Sequence, residues 1–299
     1  MISDNLESPL DDIFISVKTT KKFHQSRVVP ILDTWYKSAR ESTWFFSDTA
    51  DEDISERISH GHFIKTFCPS DHSRQSLCCK MQAEIETFLL ETDRKWFCHV
   101  DDDNYVNVPR LRHTLAKFNP NQDWYLGKVS ISKPLQIYDK SQQKEVEFVF
   151  GTGGAGFCLS RTVVERIGAL KETLSETGDI IGLPDDVTIG YLVTLRLGVP
   201  LTELKEFHSH LEALSRLDTN KNILEQQITF SYGKYEDGAR NYVRLKELDL
   251  NQDQTTFYTL HCVLFDQCSN KLDKKISNKR LGAVKDAESK LRNRINTLR

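Results

Sequence analysis

The sequence predicts an α/β domain in which apolar strands alternate with helices, and three observations carry that prediction. Apolar runs of strand length recur at residues 13–17, 43–47 and 95–100. Between them, apolar residues are spaced as on one face of a helix. Acidic residues stand directly after two of the runs, at Asp48 and at Asp101-Asp102-Asp103. Open α/β sheets bind their ligands just beyond the carboxyl ends of the strands, which is where these acids fall.

Taken in order, residues 1–10 read as a polar leader. Ile13-Phe14-Ile15-Ser16-Val17 suits a buried strand, and Lys18-Thr19-Thr20-Lys21-Lys22 a turn. Residues 27–38 read as one helix with Val28, Leu32 and Trp35 or Tyr36 on a shared face. Thr43-Trp44-Phe45-Phe46-Ser47 is a second strand, Leu77 through Met81, Ile85, Phe88 and Leu89 a helix, and residues 95–100 a third strand. In the second half, Phe148-Val149-Phe150 leads into Gly151-Thr152-Gly153-Gly154-Ala155-Gly156 and then a helix with Ser160 as its N-cap. A further helix starts after Leu183-Pro184-Asp185-Asp186 and stops at Gly198, before Pro200. Strand-like stretches resume at 226–232 and 259–265. No internal repeat is present, so the simplest partition is the leader, one domain over 11–268, and a tail over 269–299.

The bulk composition, 38% hydrophobic and 28% charged over 299 residues, is that of a globular protein able to bury a core. No stretch approaches the roughly 18 or more consecutive apolar residues of a membrane span. The opening residues lack the basic and apolar segments of a signal peptide. A net charge of −3 gives no reason to expect nucleic acid or a membrane surface as partner. The tail differs, with ten basic and three acidic residues from Lys271 onward and Ala287, Leu291, Ile295 and Leu298 at helical spacing. It reads as an exposed, partly helical appendage.

Seven cysteines, at 68, 78, 79, 98, 158, 262 and 268, point to an oxidising compartment. Zinc is disfavoured, because no CxxC pair and no histidine at finger spacing occur. Cys68 with Cys78 or Cys79, and Cys262 with Cys268, would close short loops. Cys98 and Cys158 both lie in apolar, strand-like runs that a bridge could join. Three disulfides and one free thiol are expected. There is no Asn-X-Ser/Thr sequon, so N-glycosylation is not.

The chemistry-bearing residues are mostly acids. Three adjacent aspartates repel one another unless a cation or hydrogen-bond donors compensate. Their oxygens suit Mg²⁺ or Mn²⁺ bridged to substrate phosphates; the bland alternative is a solvated turn. His208 and His210, one residue apart, point to the same side if extended. One could ligate a metal while the other makes a structural hydrogen bond, and mixed carboxylate and imidazole ligation favours Mn²⁺. Asp185 and Asp186 at a helix start suit capping, but two in succession leave one free as a general base for a sugar hydroxyl. The glycine-rich segment matches neither GxGxxG with a downstream ribose acid nor GxxxxGK[ST]. It implies close backbone approach to a ligand.

These segments, in this order, resemble the Fringe glycosyltransferases. The likeness rests on Val17-Lys18-Thr19-Thr20, on Trp96-Phe97-Cys98-His99-Val100-Asp101-Asp102-Asp103-Asn104-Tyr105-Val106-Asn107, and on Gly151-Thr152-Gly153-Gly154-Ala155-Gly156-Phe157-Cys158. Leu183-Pro184-Asp185-Asp186 and Phe207-His208-Ser209-His210-Leu211-Glu212 complete it. The wider β1,3-glycosyltransferase group shares the aspartates; the cysteine-bearing versions and the FHSHLE segment are more specific. The resemblance implies a GT-A fold, with a mixed central sheet, a Rossmann-like nucleotide-binding half and helices on both faces. It implies a type II membrane protein of the Golgi lumen, whose anchor these 299 residues do not include. It implies inverting transfer of N-acetylglucosamine from UDP-GlcNAc to the 3-hydroxyl of O-linked fucose on EGF repeats of Notch-type receptors. By position, Asp103 and His210 resemble the Mn²⁺ ligands, Asp102 a contact to the sugar nucleotide, Arg27 a substrate contact and Asp186 the catalytic base. The pairing implied is Cys68–Cys79, Cys98–Cys158 and Cys262–Cys268, with Cys78 unpaired. The chain departs from the pattern at Val187, where vertebrate members have Cys, at Phe67, in the stretch 171–182 and in the basic tail. The rival readings are a related β1,3-galactosyl- or glucosyltransferase and a secreted metal- or sugar-binding module without turnover.

Overall fold

The structure, a computed structural model, describes residues 9–140, 142–246 and 253–266. Its strands include β1 (Ile13–Lys18), β2 (Thr43–Ser47), β3 (Phe63–Lys65), β4 (Trp96–Asp101), β5 (Asn104–Val106), β6 (Tyr125–Gly127), β7 (Leu135–Asp139), β8 (Lys144–Phe148), β9 (Phe157–Ser160), β10 (Leu201–Glu203) and β11 (Thr229–Ser231). Seven form one mixed sheet in the order β10-β6-β9-β4-β1-β2-β3. The four strands β3, β2, β1 and β4 run parallel, the Rossmann-like half. β9 lies antiparallel between β4 and β6. The antiparallel pairs β5–β11 and β7–β8 stand outside this sheet.

Strand period decides where the core sits. Ile13, Ile15 and Val17 of β1 face one side, with Ile31, Leu32, Leu111, Leu115, Leu260 and Leu264 from three helices. Phe14 faces the other, with Met81, Ile85 and Phe88 of the helix Arg74–Glu91 and Val163 and Ile167 of the helix Arg161–Gly168. Phe14 stacks on Trp44 at 4.3 Å and meets the edge of Phe88 at 5.5 Å. A sheet buried on both faces explains why its central strands are continuous apolar runs. Each such side chain contributes about 1.5–3 kcal/mol by leaving water.

Four expectations are corrected. Residues 27–38 are not one helix but a wide π turn over His24–Val28, an α-helix over Val29–Asp33 and a 3₁₀ turn over Trp35–Ser38. Pro30 has no N–H to donate to the preceding turn, and Thr34 leaves helical space at φ −118°, ψ −110°. Residues 259–265 are helical, within Phe257–Phe265, not extended. Of 226–232, only Thr229–Ser231 pairs, against β5. Ser160 does precede a helix, but its hydroxyl accepts from the Trp124 N–H at 2.9 Å instead of capping.

Cys68 is bonded to Cys79 and Cys98 to Cys158, the latter directly opposite each other in the β4–β9 register. Cys78 is buried with a free thiol. Cys262 is disulfide-bonded, while its expected partner Cys268 and the basic tail fall outside the described residues, as does most of the leader. Among the described residues no helix is long and apolar enough to cross a membrane.

Candidate active site

Two features of the fold meet at one cavity of about 770 Å³. One is the end of β4, where Asp101, Asp102 and Asp103 leave the sheet. The other is the first turn of the helix Asp185–Gly190. Lys18, Arg27, Gly153, Gly154 and His210 also line the cavity, so the sequence-predicted site residues are gathered in one place.

The three aspartates are not a solvated turn. Asp102 and Asp103 are 4% and 8% exposed. Asp101 pairs with Lys18 at 3.1 Å and lies 3.6 Å from His99, and although burial opposes it, these cations hold its carboxyl far below the usual range. Asp102 accepts from the Thr19 hydroxyl at 2.7 Å and from Arg27 at 2.8 Å, yet burial still raises its pKa. Asp103 has weaker partners, Arg27 at 3.3 Å and the Ser231 hydroxyl at 3.3 Å. Burial, then the charges of Asp101 and Asp102, push it up to about 8. It is the acid in this wall that most lacks positive charge.

Arg27 reaches these acids from the π turn His24–Val28, a widened helical turn of the kind that often marks a functional position. That turn is tied down by His24, whose ring nitrogens bond Asp51 at 2.8 Å and Ser47 at 2.7 Å. The guanidinium also lies 3.7 Å over the Phe23 ring.

The two histidines separate in role. Both nitrogens of His208 are engaged, with Glu212 at 3.2 Å and Gln227 at 2.9 Å. Among the described residues, the His210 ring has only a 3.4 Å contact from Nδ1 to the same Ser231 hydroxyl that donates to Asp103. Burial lowers its pKa, favouring the neutral imidazole a metal needs. Asn241 fixes the loop by donating to the carbonyls of His210 and Glu212, both at 2.7 Å. Among the described residues no three His, Cys, Asp or Glu side chains cluster as a complete metal cage. One undercharged carboxylate and one neutral imidazole sharing a hydroxyl fit a divalent cation that takes its remaining ligands from phosphate and water.

Asp186 sits at the other wall. Its carboxylate accepts from the Gly153 N–H at 3.1 Å and from the Val187 N–H at 2.8 Å. Burial and the neighbouring Asp185 nevertheless push it up to about 6. Asp185 is committed to Lys18 at 2.5 Å.

The glycine-rich segment lines the cavity at Gly153 and Gly154, and its missing side chains also serve two site residues. A Cβ on Gly154 would lie 2.9 Å from His210 Cε1, and one on Gly153 3.3 Å from Asp186 Cβ. These glycines make room for two site side chains. Gly156, at φ 81°, closes the turn under them. Sequence reasoning missed Lys18 and Ser231. Lys18 was legible in principle, since it ends a buried strand and pairs in register with Asp101.

A family model described as Fringe-like matches residues 8–268. The chain is 47% identical over 262 residues to a Fringe glycosyltransferase of Drosophila melanogaster, a match covering 86% of this chain and 62% of that protein. It is 43% identical over 261 residues to beta-1,3-N-acetylglucosaminyltransferase lunatic fringe of Danio rerio, covering 85% and 68%. The same enzyme of Bos taurus is 44% identical over 264 residues, covering 86% and 68%. The chain thus spans between 62% and 68% of the length of these relatives.

Proposed function

We propose that this chain, which belongs to the Fringe-like family, transfers N-acetylglucosamine from UDP-GlcNAc to the 3-hydroxyl of O-linked fucose on EGF repeats of Notch-type receptors. The observation that carries the reading is Asp186. It is a carboxylate pinned by two backbone N–H groups and pushed up to about 6, facing the same cavity as the Asp102, Asp103, Arg27 and His210 wall. A carboxylate in that range is ionised at neutral pH yet basic enough to take a hydroxyl proton as the oxygen attacks. The relatives' printed names, N-acetylglucosaminyltransferases and a glycosyltransferase, support the donor sugar.

In this reading Asp186 removes the proton of the fucose hydroxyl while the oxygen forms its bond to the anomeric carbon. The bond from that carbon to UDP breaks on the opposite face, so the α donor gives a β product. The arrangement parallels inverting hydrolases, where the base serves the nucleophile opposite the leaving group. Asp102 and Arg27 orient the nucleotide. Asp103 and His210 would hold a divalent cation, proposed as Mn²⁺, which when bound supplies Lewis-acid neutralisation of the diphosphate. Residence in the Golgi lumen belongs to the same proposal.

The test is label transfer from UDP-GlcNAc, UDP-Gal or UDP-Glc to an EGF domain with and without O-fucose. Label from UDP-GlcNAc on the fucosylated domain alone is expected. Transfer from UDP-Gal or UDP-Glc in preference would move the assignment to a related β1,3-transferase, and UDP-independent metal binding without turnover to a binding module.

A further inference from the structure

We propose that Lys18 is a positioning residue for this transfer: its ammonium joins the aspartate strand to the helix that carries Asp186 and balances the charge of Asp185 beside that base. Lys18 ends β1 directly opposite Asp101 in the parallel register. Its Nζ lies 3.1 Å from Asp101 and 2.5 Å from Asp185, with the lysine side chain 10% and that of Asp185 6% exposed. Behind Asp101 the buried His99 follows at 3.6 Å, and Glu84 bonds His99 at 2.6 Å. Charges therefore alternate from cavity to core through Asp185, Lys18, Asp101, His99 and Glu84. Deleting the ammonium leaves two shielded carboxylates without their shared cation, the costly way to break a buried pair.

The proposal rests on Asp186 being the base. Around Asp186 stand Asp185 on its own helix, Lys18 from β1, Tyr125 from β6, His210 across the Gly153-Gly154 turn, and Cys78 from the helix Arg74–Glu91 beside Asp185. Burial is the largest influence raising Asp186, and the negative charge of Asp185 comes next; Lys18 opposes both. A protonated base is inactive, so rate rises with pH through its titration. Without Lys18 the field of Asp185 is unbalanced and the acid limb moves to higher pH. One charge a few ångströms away in a partly buried site is worth roughly one pH unit.

The pH dependence of kcat for label transfer is measured for the wild type, K18M, K18R, D185N and D186N. The expected pattern has K18M moved upward by about one unit with kcat reduced and donor KM unchanged. K18R returns both toward wild type, and D185N, which removes the unbalanced acid, moves the limb downward. An unmoved limb in K18M, or a raised donor KM with unchanged kcat, overturns the proposal. If K18M does not fold by circular dichroism, D185N decides: an unmoved limb there also overturns it. D186N separates the two claims, because a D186N enzyme that keeps its rate removes the base itself, whereas an inactive D186N with an unmoved K18M limb removes only the role of Lys18.

Discussion

The Arg27 guanidinium and the Asp103 carboxylate meet at 3.3 Å, while the other oxygen of Asp103 accepts from Ser231 at the same distance. Arg27 gives its shorter bond, 2.8 Å, to Asp102. Asp103 is thereby left with little compensation in a buried wall that holds three acids, and a cation from outside has somewhere to go.

That imbalance has a sign in stability. Without metal, folded Asp103 keeps its proton to about pH 8, whereas the unfolded chain releases it near about 4. Between these values the native state binds more protons than the unfolded one, so stability falls as pH rises through the window. Thermal unfolding with chelator should show this slope, and Asp103→Asn should flatten it and raise Tm at pH 7.5. Mn²⁺ should raise Tm of the wild type and not of the variant. An equal rise in both would count against ligation by Asp103.

Arg27→Gln should raise the donor KM and cost on the order of 2 kcal/mol of stability, because it strips two buried carboxylates of their shared partner. The figure is held low because the Arg27 side chain is itself 25% exposed. Urea denaturation and initial-rate kinetics read the two effects separately. Full retention of donor affinity would remove Arg27 from the binding site.

Gly154→Ala inserts a methyl 2.9 Å from His210 Cε1. The ring must shift, and displacing a ligand's support typically weakens metal binding by about 10–100-fold. Calorimetry with Mn²⁺ and UDP should show that loss while the unfolding midpoint changes little. Unchanged affinity would mean that His210 is not a ligand.

Replacing Cys98 and Cys158 by serine opens a bridge spanning 60 residues of sequence. A loss of about 2–5 kcal/mol is expected by chemical denaturation. A variant as stable as the wild type would show that the strand pairing alone holds the β4–β9 join.

How much of this was legible in the sequence depends on length and on chemistry. The runs at β1, β2 and β4 are long and apolar because both faces of the sheet are covered, so composition alone marks them. Strands of three residues, such as β3, β5 and β6, carry no periodicity and were not found. The run Thr259 to Phe265 was misread as extended, since a buried helix and a buried strand present the same unbroken apolar stretch. Its helical face shows only in the packing of Phe257, Leu260 and Leu264 into one cluster. The acids of the site were found because adjacent carboxylates are costly. Lys18 was passed over because a lysine after a strand looks like a turn until its partners at Asp101 and Asp185 are known.

The role of Asp186 as base is tested most directly by Asp186→Asn, assayed together for label transfer from UDP-GlcNAc to O-fucosylated EGF and for UDP binding by calorimetry. A fall in kcat of about 10²–10⁴-fold is expected, with UDP affinity in Mn²⁺ unchanged. A variant that keeps most of its transfer rate would contradict that role.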